Sequence, residues 1–298
     1  MAKHYVTDAE MAAVAEAIRA KAGTEDKMSF PEGFVEGITN LPSGGDDDRF
    51  KALIEGTVTE ITLPNDLTKI GAYAFYRYST LTKCTIPSNV NQVGDYAFEY
   101  CTKLASLELN EGLHRIGRQS FAGCAYEELV IPESVEYIGQ CLCQSASKVR
   151  HVKLPRSVMS MSTSYAFQYC SSLESVEFPK TGVTSFGTDM FVNCKKLKLY
   201  NSDFDGIETI EARCFSSCES LDITSLPSSL TRVEAYAFTS CIGLSELTFN
   251  STPSYIAPSA FNNCTNLLTI NVPWSEGAVS GAPWGATNAT INYNYTGG

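Results

Sequence analysis

The chain is short of positive charge: 22 Lys and Arg stand against 33 Asp and Glu, leaving a net charge of −11 over 298 residues. Neutralising nucleic-acid phosphates needs a surplus of Lys and Arg on one face, so binding to nucleic acid through a basic surface is excluded. The same deficit argues against docking on an anionic leaflet. No stretch approaches the roughly 18 apolar residues of a membrane-spanning helix, so membrane insertion is not expected. The first twenty residues carry Asp8, Glu10, Glu16 and Arg19, which leaves no apolar core for a conventional secretory signal. Histidine is scarce, with three copies, and only two tryptophans occur. No phosphate-cradling glycine loop, HExxH helix or dinucleotide fingerprint is present, and no cofactor is implied.

What the chain does have is a repeat. A small residue followed by an aromatic or its equivalent recurs at Ala74-Phe75, Ala97-Phe98, Ser120-Phe121, Cys141-Leu142, Ala166-Phe167, Met190-Phe191, Cys214-Phe215, Ala237-Phe238, Ala260-Phe261 and Pro283-Trp284. The second members are spaced 23, 23, 21, 25, 24, 24, 23, 23 and 23. A closing leucine follows each frame, as at Leu81, Leu104, Leu129 and Leu173. Next comes a short alternating stretch such as Leu107 with Leu109 or Val176 with Phe178, often ended by proline as at Pro87, Pro132 and Pro155. Period-2 stretches at this spacing predict stacked coils whose strands pair as one parallel sheet. The aromatic column then predicts a continuous ring stack on the far side of the core. A hydrophobic pair such as Val135 with Ile138-Gly139 precedes the frame.

Seven of the eleven cysteines sit three residues after the aromatic, at 101, 124, 170, 194, 218, 241 and 264, with Tyr78 and Ser145 in the first and fourth coils. One small apolar residue per layer predicts a buried ladder of free thiols. Spacings near 23 do not fit a metal site, which needs close pairs of ligands.

The pattern Ile-x-Leu-Pro, then Val-x-x-Ile-Gly, then Ala-Phe-x-x-Cys-x-x-Leu resembles the BspA-like leucine-rich repeats of bacterial surface proteins, most clearly over Ile61 to Leu81 and Ile86 to Leu104. The likeness spans about residues 55 to 273. The fold class expected is a β-rich α/β solenoid: a right-handed leucine-rich repeat coil of about ten 23-residue repeats with a parallel sheet, plus a small N-terminal helical segment. The resemblance implies a binding or adhesion role toward protein or glycan on another surface, and an extracellular or cell-surface location. It carries no catalytic residues. The fourth coil departs from the pattern at Cys141-Leu142-Cys143, and the seventh is degenerate over Lys198 to Asn201.

The ends differ from the repeat. Thr7-Asp8-Ala9-Glu10 reads as a capping box before an apolar stripe at Met11, Val14, Ala15 and Ile18, and Pro31 opens a second short helix. Residues 1–42 are expected to cap the solenoid, or to attach or oligomerise it, with 43–54 as a hinge around Gly44-Gly45-Asp46. This segment also resembles the N-terminal stretch of tail-associated proteins of prophages, which gives a virion tail as the alternative location and role. Residues 55–273 form the expected solenoid, and 274–298, holding Trp274 and Trp284, the expected C-terminal cap.

Period-2 strands also assign the outward columns. One runs Glu60, Lys83, Ser106, Glu128, His151, Ser175, Leu199, Ile223, Glu246 and Thr269; the other passes through Val130, Lys153 and Glu177. The richest grouping of chemistry is Glu128, His151, Lys153, Ser175 and Glu177 on three adjacent coils. A Ser/His/Glu set suits acyl transfer. An open sheet face, however, supplies neither oxyanion hole nor strained nucleophile turn, so these residues are expected to bind a ligand rather than catalyse. A hydrolase is the least favoured reading.

Overall fold

The computed structural model describes residues 59–63, 67–156, 160–161, 164–179 and 183–297. The helices expected in 1–42 and the hinge expected in 43–54 lie outside the described residues. What is described is a parallel β-solenoid of about ten turns. Most coils contribute one strand to a front ladder and one to a second ladder, and close through a six-residue turn around the small-aromatic frame.

In the front ladder, β1 (Glu60–Thr62), β3 (Lys83–Thr85) and β5 (Ser106–Glu108) pair in order. β7 (Glu128–Val130), β9 (His151–Lys153) and β11 (Ser175–Glu177) form a second group. β14 (Ser225–Leu226), β16 (Glu246–Phe249), β18 (Thr269–Asn271) and β19 (Thr290–Asn292) form a third. The front sheet is therefore broken twice rather than continuous. The second break falls where the degenerate seventh coil folds residues Asn201–Phe204 as a 3-10 turn instead of a strand. Leu199 and Ile223, expected to face outward, are buried there. Two apolar side chains lose more by facing water than the ladder gains from regular strands.

The second member of the hydrophobic pair before the frame, with the residue preceding it, forms the second ladder, which strand alternation did not announce because its strands are two residues long. β2 (Lys69–Ile70), β4 (Gln92–Val93), β6 (Arg115–Ile116), β8 (Tyr137–Ile138) and β10 (Ser160–Met161) pair in sequence. β12 (Ser185–Phe186), β13 (Thr209–Ile210), β15 (Arg232–Val233) and β17 (Tyr255–Ile256) continue it as a separate sheet. The glycine after Val93 or Ile116 lets the coils close up: a Cβ on Gly94 or Gly117 would sit 2.5 Å from backbone nitrogen of the preceding coil. Among the described residues no α-helix occurs, and the turn around the aromatic stands in the helix's place.

The aromatics stack through the core. Phe75 and Phe98 lie 4.9 Å apart and Phe98 and Phe121 6.0 Å; Phe167, Phe191, Phe215, Phe238 and Phe261 follow at 5.2–5.4 Å. The stack is not continuous, because the fourth coil interrupts it. There the hydrogen bonds set a different alignment from Cys141-Leu142. Phe98 N donates to Ser120 O and Phe121 N to Leu142 O, which puts Leu142 in the small-residue place. Cys143 N then donates to Ala166 O, as Phe167 N does to Met190 O, so Cys143 occupies the aromatic place. Three residues on stands Ala146, not Ser145. One residue is also missing between Cys124 and β7, so buried Tyr126 fills the leucine's place and Leu129 is the inward residue of the strand.

All eleven cysteines are free and buried. The ladder does more than fill space, because each thiol donates to the carbonyl of the aromatic position one coil earlier. Cys101 Sγ reaches Phe75 O at 3.0 Å, Cys124 reaches Phe98 O at 3.1 Å, Cys194 reaches Phe167 O at 3.0 Å and Cys218 reaches Phe191 O at 3.1 Å. The acceptor for Cys170 is Cys143 O at 3.0 Å, which agrees with the alignment above. Ala146 has no thiol to offer Phe121 O, and the Tyr126 hydroxyl donates to that carbonyl at 3.0 Å instead. A buried carbonyl left without a donor costs about 1–3 kcal/mol, which this substitution avoids.

Three outcomes follow from the core. Phe167→Ala is expected to cost about 3–5 kcal/mol, as truncations of buried Phe do, while Lys153→Ala should stay within about 0.5 kcal/mol; chemical-denaturation midpoints compare them. Tyr126→Phe should destabilise by about 1–3 kcal/mol, and adding Ala146→Cys to that variant should recover most of the loss by returning a thiol donor to Phe121 O. Burial pushes the Cys84 and Cys143 thiols up to about 12 and Cys264 up to about 11. A thiol pKa raised in the fold stabilises it fully below the ordinary value of 9.0 and loses that contribution as pH climbs toward the folded value. Melting temperature should therefore fall progressively above about pH 9, and a thiol reagent at neutral pH should label these groups only on unfolding.

Candidate functional site

The five residues singled out from the sequence lie on β7, β9 and β11, whose register is set by the backbone ladder. Glu128 pairs with His151 and His151 with Ser175; Val130 pairs with Lys153 and Lys153 with Glu177. Leu129, Val152 and Val176 between them point inward and are buried, which turns the alternate positions out. Two outward columns thus run across three coils. Glu128, His151 and Glu177 are exposed and Lys153 and Ser175 half-buried.

Ion pairs link neighbouring coils on this face. Lys153 Nζ lies 3.9 Å from Glu177 Oε2. Arg150, just before β9, grips Glu174 in a fork, Nε to Oε1 at 3.0 Å and one terminal nitrogen to Oε2 at 3.2 Å. That fork holds the Glu174 carboxyl below its ordinary range, with His151 and Lys196 adding to the effect, and raises Arg150. Arg156 N donates to Glu133 Oε2 at 2.8 Å on the same flank. The face is thus a weave of both signs, not a single-sign field. Sequence patterning did not single out Arg150 and Glu174, because both precede the strands whose alternation defined the columns.

His151 Nδ1 and Ser175 Oγ are 2.9 Å apart, and His151 Nε2 is 4.0 Å from Glu174 Oε2. The trio has the composition of a nucleophile, a base and an acid, but not their working arrangement. Glu174 is already committed to Arg150, Ser175 sits on a flat strand, and the face is open to water that would screen any developing charge. The geometry suits hydrogen bonding to a ligand laid across the strands. Among the described residues no group of His, Cys, Asp and Glu is placed to hold a metal ion, and no helix is long and apolar enough to cross a membrane.

At the C-terminal end Trp274 and Trp284 are both buried, with ring centroids 6.2 Å apart, and Trp274 meets Phe249 edge-on at 5.4 Å. Neither ring is offered to a ligand.

Three solved structures are similar to this chain. A leucine-rich repeat protein from Eubacterium ventriosum is 18% identical, with a TM-score of 0.49, covering 86% of this chain and 76% of its own. The Leucine Rich Repeat protein of T. pallidum is 26% identical, with a TM-score of 0.42 and coverages of 62% and 77%. A leucine rich cell surface protein from Faecalibacterium prausnitzii is 17% identical, with a TM-score of 0.33 and coverages of 80% and 88%. No curated protein matches the chain. Residues 68–198 and 196–279 match the BspA type leucine rich repeat region in six copies. With its repeat, ladders and thiol column all in that frame, the chain belongs to the BspA-type leucine-rich repeat family.

Proposed function

We propose that the chain is a non-catalytic adhesion module of the cell surface or extracellular space, which engages a protein or glycan on another surface through the front face of β7, β9 and β11. The observation that supports this best is the open, two-signed face carrying Glu128, His151, Lys153, Ser175 and Glu177, held in fixed columns by backbone register. A solenoid offers such a face as a rigid extended surface, and binding there requires no rearrangement of the fold. Interleaved charge selects a partner by complementary pairing rather than by bulk attraction. The unenclosed Ser175–His151 pair and the engaged Glu174 favour binding over hydrolysis.

A protein and glycan array probed with the full chain identifies the ligand. Charge reversal at Lys153→Glu should then reduce capture of that ligand at least tenfold without lowering the melting temperature, because exposed ion pairs contribute little to stability. Capture should weaken as salt is raised, since exposed charges are screened within about 10 Å at 0.1 M. A ligand whose capture is indifferent to both salt and Lys153→Glu, or turnover of an ester panel that is lost in Ser175→Ala, would replace this proposal.

A further inference from the structure

The front ladder ends on β19, which is built unlike most of the strands before it. Thr290 N donates to Leu268 O and Val272 N to Asn292 O, so these backbone groups are spent on the preceding coil. The register with β18 sets Ile291 beside Ile270, between Thr290 beside Thr269 and Asn292 beside Asn271. Residues of a strand alternate in the side to which their backbone groups point, which turns the N–H and carbonyl of Ile291 away from β18. Among the described residues no strand pairs on that side. The chain after β19 turns back onto the preceding coil, where Asn294 N donates to Trp274 O and Tyr295 N to Val272 O.

Open edges invite another strand, and proteins usually guard them with charge. β1, β3, β5, β7, β9, β11 and β16 each carry a Lys or Glu. β19 reads Thr-Ile-Asn, and no charged residue follows Glu276. In a chain of net charge −11, two copies repel over most of their surface, and this neutral edge is where they meet without that cost.

The side chains of the edge also complement themselves. Ala289, Ile291 and Tyr293 are half-buried against the core, while Thr290 and Asn292 are exposed. An antiparallel pair centred on Ile291 lets the two copies of Ile291 exchange both backbone hydrogen bonds. It sets Ala289 opposite Tyr293 of the second copy, small against large, and symmetry repeats the match. Thr290 then stands opposite Asn292 of the second copy. Asn292 Nδ2 donates to Asn271 Oδ1 at 2.8 Å, and Asn271 Nδ2 to Glu246 Oε1 at 2.7 Å. Each amide of this row donates toward the preceding coil, which leaves Asn292 Oδ1 as the acceptor at its end. A threonine hydroxyl across the seam supplies the donor.

We propose that two copies of this chain join tail to tail through β19, antiparallel and centred on Ile291, so that one front sheet runs through both. Such a contact is isologous and closes at two copies. Its two-fold axis stands normal to the sheet, so both front faces turn the same way. Given the adhesive reading of β7, β9 and β11, the pair engages one surface at two points and gains avidity. The pairing itself does not depend on that reading and uses different residues.

Sedimentation of the full chain over a concentration series tests this. The mass should rise from one chain to two and stop there. Thr290→Lys combined with Asn292→Lys sets like charges opposite each other across the seam and should weaken association by about tenfold or more. Thr290→Glu combined with Asn292→Lys sets opposite charges there and should restore association, because position 290 faces position 292 only in the antiparallel register. All these side chains are exposed, so the circular dichroism of both variants should match the parent and separate lost pairing from lost fold. Lys153→Glu should leave the mass series unchanged, so that failure of the front-face proposal remains distinct. A chain that stays single overturns the inference, as does a mass that grows past two. So does association indifferent to the paired lysines, or one that the Glu and Lys combination does not recover, which would assign the edge to another segment or register.

Discussion

Everything in this solenoid depends on one backbone requirement: a group in one coil must meet its counterpart in the next. Phe75 N donates to Ala97 O, Phe167 N to Met190 O and Phe238 N to Ala260 O, while the ladders repeat their own pairings along the axis. Buried backbone groups must be paired, so a coil can lengthen or shorten only where a loop absorbs the change. Side chains are then selected in columns, because each position faces its own image one layer away. Stacked phenylalanines, the thiol column and the glycines of close approach are three answers to that single condition.

The fourth coil shows how the condition is met when the consensus is abandoned. Loss of the phenylalanine is accompanied by Leu142 for alanine, Cys143 for the ring, Ala146 for the thiol and Tyr126 for the leucine. Volume removed at one position is returned at its neighbours, and the one carbonyl that loses its thiol gains a phenol. The changes are interpretable only as a set. Leu142→Ala alone would leave a void beside a small Cys143, and a phenylalanine at 143 alone would meet the space already taken by Tyr126 and Leu142.

Repeat, front strands and buried thiols were legible in the residues because each recurs once per coil and strands alternate with period 2. The second ladder was not, since a two-residue strand such as Gln92–Val93 carries no alternation to detect. The fourth coil was misaligned by one residue because Cys141-Leu142-Cys143 offers two frames of similar character, and only the hydrogen-bond partner of Cys143 N distinguishes them. On the front face the columns through His151 and Lys153 followed directly from strand register. The left-handed turns did not, because nothing in the letters Tyr-Ala-Phe-Glu-Tyr announces the positive φ that Tyr96 and Tyr100 adopt; glycine or asparagine would have signalled it, and tyrosine conceals it.

The interruptions in the two ladders are staggered. Where β5 and β7 part company, β6 and β8 remain joined; where β10 and β12 separate, β9 and β11 hold; and across the 3-10 turn after β11, β12 and β13 carry the connection. Masonry is laid the same way, with no vertical joint running through consecutive courses. A bending load therefore finds no plane in which both ladders are cut, so irregular coils need not act as hinges. Sequence drift in one ladder is tolerable wherever the other spans the gap, which lets individual coils vary without the rod buckling at them.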